Sequence, residues 1–209
     1  MSSMPITLID KLSHFTSPIK DIDLLGDIVY TGNEDGSISI KNKVKGENRK
    51  PKHIKAHKQE ITSLSISQNE FFMATSSIDN TIKLWNLTDL YNPKHTTIKA
   101  HTACVRHCSF SPDSQLLISA SDDKTAKIFQ VHGQKFVTTL KGHTNWLSCA
   151  EFGQINSATG ITGGSDRKVM IWDIVKKIPI NYNQDHKAKV TVTKFFNSDH
   201  CKLISFRKC

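Results

Sequence analysis

The sequence predicts an all-β fold in which one unit of antiparallel strands is repeated, the architecture of a β-propeller. Three observations predict it: landmark histidines recur at a nearly constant interval, short apolar runs alternate with turn residues, and no segment has a helical apolar stripe of useful length. The chain of 209 residues is long enough for one all-β domain with a substantial core. We therefore expect one run of blades.

The repeat is defined by four histidines. His57, His101, His143 and His186 are separated by 44, 42 and 43 residues, which is the length of one propeller blade. Apolar residues stand four and nine positions after each of them. This spacing predicts an N-terminal segment with the pattern of a closing strand, followed by propeller blades over 14–209. The expected divisions are 1–13, 14–56, 57–100, 101–142, 143–185 and a partial blade at 186–209.

Each of the first three histidines begins a set of polar landmarks. An Asp follows 22 or 23 residues later, a hydroxyl residue stands four residues before that Asp, and an aromatic residue stands six residues after it. The Asp can accept a hydrogen bond from the His, and the His can donate to the hydroxyl, which reaches toward the Trp indole N–H. Such a buried network joins two loops of a blade. The predicted structural sets are His57, Thr75, Asp79 and Trp85; His101, Ser119 and Asp123 with Phe129; and His143, Thr162, Asp166 and Trp172.

Catalysis by these residues is not expected, although Ser, His and Asp are also the members of a hydrolase triad. The pattern occurs three times, no G-x-S-x-G elbow is present, and repeated identical triads serve no chemistry. A zinc site at His101, Cys104, His107 and Cys108 is disfavoured because residues 104 and 108 of a strand point away from residue 107. The sequence therefore predicts no enzyme, no cofactor and no metal.

The five cysteines are odd in number and lie in apolar runs, which favours reduced, buried thiols over a disulfide framework. No stretch approaches the ~18 consecutive apolar residues of a membrane span. The segment from Met1 to Leu12 lacks the features of a secretory signal. These observations predict a protein of the cytosol or nucleus that does not bind membranes.

The chain carries a formal net charge of +9, which favours an acidic partner. Much of the excess lies between Lys41 and Lys58, where a single carboxylate, Glu47, is present. This segment is interpreted either as a solvated loop between strands or as a contact for acidic tubulin tails or nucleic acid phosphates. The candidate contact residues of this basic loop are Lys43, Lys45, Arg49 and Lys50.

Trp146 is the candidate anchor of a partner interface. It stands three residues after His143, at the position that Glu60, Cys104 and Lys189 hold in the other repeats. Charged counterparts indicate an exposed position, and an exposed aromatic beside basic residues is typical of an interface hot spot. The alternative is that the indole packs against a neighbouring blade. Basic residues expected on or near the same rim are Arg106, Lys124, Arg167 and Lys189.

These landmarks resemble those of the WD-repeat family over nearly the whole chain, from about His14 to Ser205. Within that family, AHTACVRHCSFSPDSQLLISASDDKTAKIF at 100–129 and HTNWLSCAEF at 143–152 look like the proteome-of-centriole WD-repeat proteins of centrioles and basal bodies. In that group they form the third and fourth blades, as they do here. The resemblance implies a seven-bladed ring, of which this chain would supply about four and a half blades, with a structural role in the centriole wall.

The first repeat departs from the pattern because Lys41 occupies the Trp position and Phe15 the His position. Alignment places its apolar residues Ile19, Ile22 and Leu24 where the next repeat has Ile61, Leu64 and Ile66. Without the polar set, this blade is expected to be held by apolar packing and to have the lowest local stability. The residues expected inside it are Ile28, Tyr30, Ile38 and Ile40.

The fifth repeat places Ser205 at the hydroxyl position and Cys209 at the Asp position. A blade without its third and fourth strands exposes an unpaired edge, which propellers normally remove by closing the ring. We therefore expect the remaining blades to come from a longer natural chain or from another subunit, and a truncated sequence is the favoured explanation. A closing strand at Ile6, Leu8 and Leu12 would require the last blade of the ring.

The function that these features predict is a structural scaffold for protein–protein interactions in the centriole, basal body or ciliary axoneme, located in the cytoplasm and cytoskeleton. The expected partners are other proteins of that assembly and tubulin, with nucleic acid less favoured. Two alternatives are an RNA- or ribosome-associated scaffold, which the net charge would suit, and a substrate-recognition subunit of a ubiquitin ligase.

Overall fold

Strands dominate the computed structural model, which describes residues 17–42, 50–154, 157–196 and 202–207. They form four sheets of four antiparallel strands and one sheet of two, with neighbours paired in chain order. The prediction of a partial all-β propeller is confirmed. No helix in the described ranges is long and apolar enough to cross a membrane.

The first blade contains β1 (Ile19–Leu25), β2 (Ile28–Asn33), β3 (Ser37–Asn42) and β4 (Lys52–Lys55). The second contains β5 (Ile61–Ile66), β6 (Phe72–Ser77), β7 (Ile82–Asn86) and β8 (Lys94–Ile98). The third contains β9 (Val105–Phe110), β10 (Leu116–Ser121), β11 (Thr125–Gln130) and β12 (Phe136–Lys141), with a 3-10 turn at His132–Gln134. The fourth contains β13 (Leu147–Phe152), β14 (Thr159–Gly164), β15 (Val169–Asp173) and β16 (Ile178–Asn183). The fifth has β17 (Val190–Phe196) and β18 (Lys202–Arg207).

The hydrophobic core lies between blades. The aromatic residue of each third strand packs against the preceding blade: Trp85 lies in one cluster with Tyr30, and Trp172 lies in one cluster with Ile128. Both indoles are 1% exposed, and burial of a large apolar side chain contributes roughly 2–3 kcal/mol. The sheets that lie between two blades are therefore apolar on both faces, because each face meets a neighbouring blade.

The first strand of the first blade is an exception. Ile22 pairs with Thr31 just as Leu64 pairs with Thr75, so the strand has the expected register. However, Ile19, Ile22 and Leu24 are 43%, 50% and 50% exposed, because no described blade covers their side of the sheet. Phe15, His14 and the expected closing strand lie outside the described residues.

The interior of the first blade is both apolar and polar. Ile28, Tyr30, Ile38 and Ile40 are buried, as predicted. The sequence did not predict that a buried hydrogen-bond network would take the place of the missing polar set beside this apolar packing. This network joins Thr31, Asn33, Ser37 and Ser39, with the Asn33 amide donating to both serine hydroxyls at 2.9 and 2.6 Å. Ser39 continues the network to His53 Nδ1 at 3.0 Å.

Two carboxylates join the first and second blades at their innermost strands. Asp21 accepts hydrogen bonds from the backbone N–H of Ile22 at 2.9 Å and of Leu64 at 2.8 Å. Two residues further on, Asp23 repeats the arrangement with the N–H groups of Leu24 and Ile66, both at 2.8 Å. Each carboxylate thus satisfies one N–H group of β1 and one of β5.

The turn at Gly36 fixes the loop that carries His57. The Gly36 carbonyl accepts hydrogen bonds from Ala56 N at 3.1 Å and His57 N at 2.8 Å. With φ at +78°, a Cβ atom at this position would lie 2.4 Å from the Gln59 carbonyl oxygen and 2.7 Å from that of His57. Only glycine allows the two backbones to approach this closely.

In the fifth sheet, Ser205 of β18 pairs with Thr193 of β17, the same relation that Thr162 has to Ala150 in the fourth blade. The backbone register therefore places Ser205 at the hydroxyl position of the repeat. Cys209, predicted at the Asp position, lies outside the described residues.

Candidate functional site

In the second blade, the structure brings all four members of the predicted polar set together. His57 lies in the loop before β5, Thr75 on β6, Asp79 in the turn after β6, and Trp85 on β7. His57 Nδ1 is 3.0 Å from Asp79 Oδ2, and His57 Nε2 is 2.9 Å from Thr75 Oγ1. The Trp85 indole N–H donates to the same hydroxyl oxygen at 3.0 Å.

The fourth blade repeats this geometry. His143 Nδ1 is 2.9 Å from Asp166 Oδ2, His143 Nε2 is 2.8 Å from Thr162 Oγ1, and Trp172 Nε1 donates to that hydroxyl at 2.8 Å. Asp166 also accepts the Thr144 backbone N–H at 3.0 Å. The network therefore joins the loop before the first strand to the turn between the second and third.

In the third blade, the network ends at the hydroxyl. His101 lies 2.8 Å from both Asp123 Oδ2 and Ser119 Oγ. Phe129 has no N–H group that could donate to Ser119 Oγ. This hydroxyl lies 3.3 Å from the Lys127 carbonyl oxygen, to which it can donate. The blade thus keeps the loop contact with one hydrogen bond fewer.

The hydrogen bond between the histidine and the hydroxyl has the direction opposite to the predicted one. Burial lowers the pKa of His57, so the imidazole is neutral near pH 7 and carries one N–H. Burial also opposes ionisation of Asp79, but hydrogen bonds from Thr81, the Lys58 amide and His57 together lower the pKa of this carboxyl. The single N–H therefore points to the carboxylate, and the Thr75 hydroxyl donates to His57 Nε2 while accepting from the indole.

The sets are closed to substrates. His57, His101 and His143 are 3%, 8% and 8% exposed, and the hydroxyl residues beside them are completely buried. Because these hydroxyl groups are buried in the core, a substrate cannot reach them. Among the described residues, no cluster of three or more His, Cys, Asp or Glu side chains could hold a metal ion.

Acidification is expected to destabilise the blades from about pH 6.5 downward. Burial lowers the folded-state pKa of His57, His101 and His143 below their ordinary value of 6.5. Below that pH the unfolded chain binds protons that the folded protein excludes, so the free energy of unfolding falls by at most about 1.4 kcal/mol per pH unit for each histidine. The lowered pKa of Asp79 adds stability above its ordinary value of 3.8 that is lost at still lower pH.

Thermal melts from about pH 8 to about pH 5 would measure this effect. The variant His132→Gln, at an exposed position outside the networks, should keep the same pH profile. A melting temperature that does not change over this range would contradict the neutral, buried state of the three histidines.

A cavity of about 320 Å³ lies where the innermost strands of all five sheets meet the histidine-bearing loops. Six of its lining side chains are charged or aromatic. We call this site the central cavity. These side chains are Lys20, Glu60, Arg106, Asp122, Trp146 and Lys189. Trp146 is 53% exposed, as expected for a residue that is not part of the core.

Two cationic side chains of the central cavity form ion pairs with carboxylates. The Arg106 guanidinium holds Asp122 in a fork, with Nη2 2.6 Å from Oδ2 and Nε 2.9 Å from Oδ1. Lys20 Nζ lies 3.2 Å from Glu60 and 3.5 Å from Glu34. Bidentate pairing fixes the planar Arg106 group in one orientation.

The structure separates the basic candidates. Arg106 and Lys189 line the central cavity with Trp146, whereas Lys124 and Arg167 do not. Lys124 and Arg167 are exposed in the tight turns before the third strands, where φ is +69° and +67°. Lys50 is exposed, and the other basic-loop candidates, Lys43, Lys45 and Arg49, lie outside the described residues.

Sequence reasoning missed Lys20 as a cavity residue. Lys20 stands five residues after Phe15, the same offset that separates Arg106 from His101. Extending the alignment of the degenerate first repeat by one more position would have identified it.

The fold and the buried networks define the class of the protein as a partial β-propeller. Comparison with known families matches residues 48–86, 92–130 and 134–173 to WD40, described as WD domain, G-beta repeat. These segments cover more than half of the chain, and the protein belongs to the WD40 family. No curated protein matches the chain. WD40 domains generally bind other proteins and are generally not enzymes.

Proposed function

We propose that this protein is a rigid scaffold for other proteins and that the central cavity is one of its docking sites. The observation that carries the proposal is the exposed indole of Trp146 beside charged side chains that all five sheets position. Large aromatic residues beside basic groups are the usual anchors of protein interfaces. The interblade core and the buried networks hold this surface in one shape, so partner binding requires little ordering.

Replacing Trp146 by Ala is expected to cost about 2 kcal/mol or more in partner affinity, because a central aromatic anchor is lost. The free energy of unfolding should change by less than about 0.5 kcal/mol, since the indole is exposed. Affinity capture of partners and a melting curve on the same preparation test both statements.

The matched control is Phe71→Ala. Phe71 is 59% exposed and lies in the turn after β5, at the end of the blade remote from the histidine-bearing loops. Equal partner binding by both variants and the unchanged protein would remove Trp146 from the interface. A large fall in the melting temperature of the Trp146 variant would place its indole in the core.

The assembly we propose is the centriole, basal body or axoneme, with the protein in the cytoplasm and cytoskeleton. Its support is the resemblance of segments 100–129 and 143–152 to centriolar proteins, and the second segment includes Trp146 itself. Fluorescent tagging together with a centriole marker tests this location. A diffuse or nucleolar signal would contradict it.

The basic loop is proposed to contact the acidic tails of tubulin. Changing four basic residues to Glu is expected to weaken cosedimentation with microtubules, most strongly at low salt, because screening reduces such contacts. These residues are Lys43, Lys45, Arg49 and Lys50. The matched control changes four other lysines, which are exposed, to Glu. They are Lys94, Lys99, Lys135 and Lys187. Equal loss in both variants would indicate only a net-charge effect.

RNA is a second candidate ligand, favoured by the net charge of +9. Phosphate contacts would make RNA affinity fall steeply with salt and leave it insensitive to Trp146→Ala. Binding of structured RNA at physiological salt without microtubule binding would favour this candidate over the centriolar one.

A further inference from the structure

In the described lining of the central cavity, one cation has no counterion. Arg106 is paired with Asp122, and Lys20 is paired with Glu60 and also lies 3.5 Å from Glu34, so both carboxylates of the lining have a cationic partner. Lys189 lines the same cavity, and in the ranges that the structure describes it forms no ion pair. Among the described residues of the lining, Lys189 is therefore the cation that is available to a ligand.

Trp146 adds a second free donor. Its backbone N–H bonds to Asn145, but within the described part of the chain nothing accepts a hydrogen bond from its indole N–H. The residue is also 53% exposed, so about half of its surface is accessible to a ligand. A carboxylate can accept from an indole N–H and an ammonium together, while the ring covers an adjacent apolar group.

A cationic ligand stacked on the Trp146 ring would fit this site poorly. It would meet the like charges of Lys20, Arg106 and Lys189 in the same cavity, where both carboxylates of the lining already have cationic partners. The existing ion pairs thus select against positive ligands and leave Lys189 for a negative one.

We infer that the central cavity recognises an Asp or Glu side chain in an extended peptide segment of the partner. The carboxylate lies between the Lys189 ammonium and the Trp146 indole N–H, and the flanking apolar side chain packs on the indole. This inference rests on the proposed scaffold function and specifies the chemistry of its docking site.

The test uses acetylated and amidated peptides in which a central Glu, Gln or Lys is flanked by leucines. Titration into the full chain is followed by tryptophan emission, which reports on Trp146 because Trp85 and Trp172 are buried. The Glu peptide should bind at least about tenfold more tightly than the Gln and Lys peptides. Lys189→Glu should reverse this preference in favour of the Lys peptide. The control Lys187→Glu makes the same charge change two residues away, outside the cavity lining, and should retain it.

Preference of the unchanged protein for the Lys peptide, or no preference, would overturn the inference, as would an equal effect of the two lysine variants. A Gln peptide with a free C-terminal carboxylate that binds as tightly as the amidated Glu peptide would also overturn it, in favour of chain-end recognition. Melting curves of both variants exclude loss of folding as the cause. If partner capture depends on Trp146 but the peptides show no acidic preference, only this inference fails. If partner capture is independent of Trp146, the proposed docking function itself fails.

Discussion

Gly36→Ala is expected to lower the free energy of unfolding by about 3 kcal/mol or more, because it adds steric overlap to a backbone conformation that L side chains rarely adopt. The new Cβ would lie 2.4 and 2.7 Å from two backbone oxygens, which cannot rotate away as a side chain could. The contact joins the first blade to the loop of His57, so relief of the overlap would also disturb the first polar set. Chemical denaturation measures the change.

Gly26→Ala is the matched control. Gly26 also has a positive φ, +54°, but a Cβ there would meet nothing within 4 Å. Its replacement should cost only the conformational strain, about 1–2 kcal/mol. Equal losses for the two variants would show that the close approach at Gly36 contributes nothing beyond its backbone angle.

Asp123→Ala is expected to cost about 3 kcal/mol of stability, since it leaves several buried donors without an acceptor. The carboxylate accepts hydrogen bonds from His101 Nδ1, the Thr102 and Thr125 backbone N–H groups, and the Thr125 hydroxyl. Its side chain is only 11% exposed, so water replaces these bonds poorly. Burial keeps His101 neutral, and the loss should therefore be present at neutral pH.

Asp122→Ala is the control at the adjacent position. Its carboxylate is 13% exposed and is paired with a single side chain, the Arg106 guanidinium, of which 42% is exposed. Its loss leaves one accessible cation instead of several buried donors and should therefore cost clearly less stability than the loss of Asp123. The two variants remove the same group one residue apart. If they melt at the same temperature, the buried network of the third blade does not stabilise the fold.

The repeat spacing alone selected His, hydroxyl and Asp residues that lie within hydrogen-bonding distance, because each set belongs to one blade with a fixed strand length. It did not predict the network around Asn33. Asn33, Ser37 and Ser39 satisfy one another through local geometry, and no other blade repeats their spacing. A comparison of repeats cannot identify a hydrogen-bond network that is present in one blade only.

Contacts between blades were also beyond the repeat pattern. The register of Ile22 followed from alignment, but its exposure depends on whether another blade covers that side of the sheet. In the same way, Lys124 and Arg167 follow their blades' Asp residues in sequence, yet the turn directs them away from the central cavity lining. Which loops converge on the cavity depends on the curvature of the whole array.

Asp21 and Asp23 also restrict how the protein can associate with itself. A strand of another molecule that added to the inner side of β1 or β5 would have to break the four hydrogen bonds that these carboxylates accept. It would also leave two acidic groups against its own backbone carbonyls, an unfavourable arrangement of like partial charge. Addition of a further strand at the inner edges of these two blades is therefore unfavourable. The edges that remain for such addition, which can lead to aggregation, are the outer strands β4 and β8.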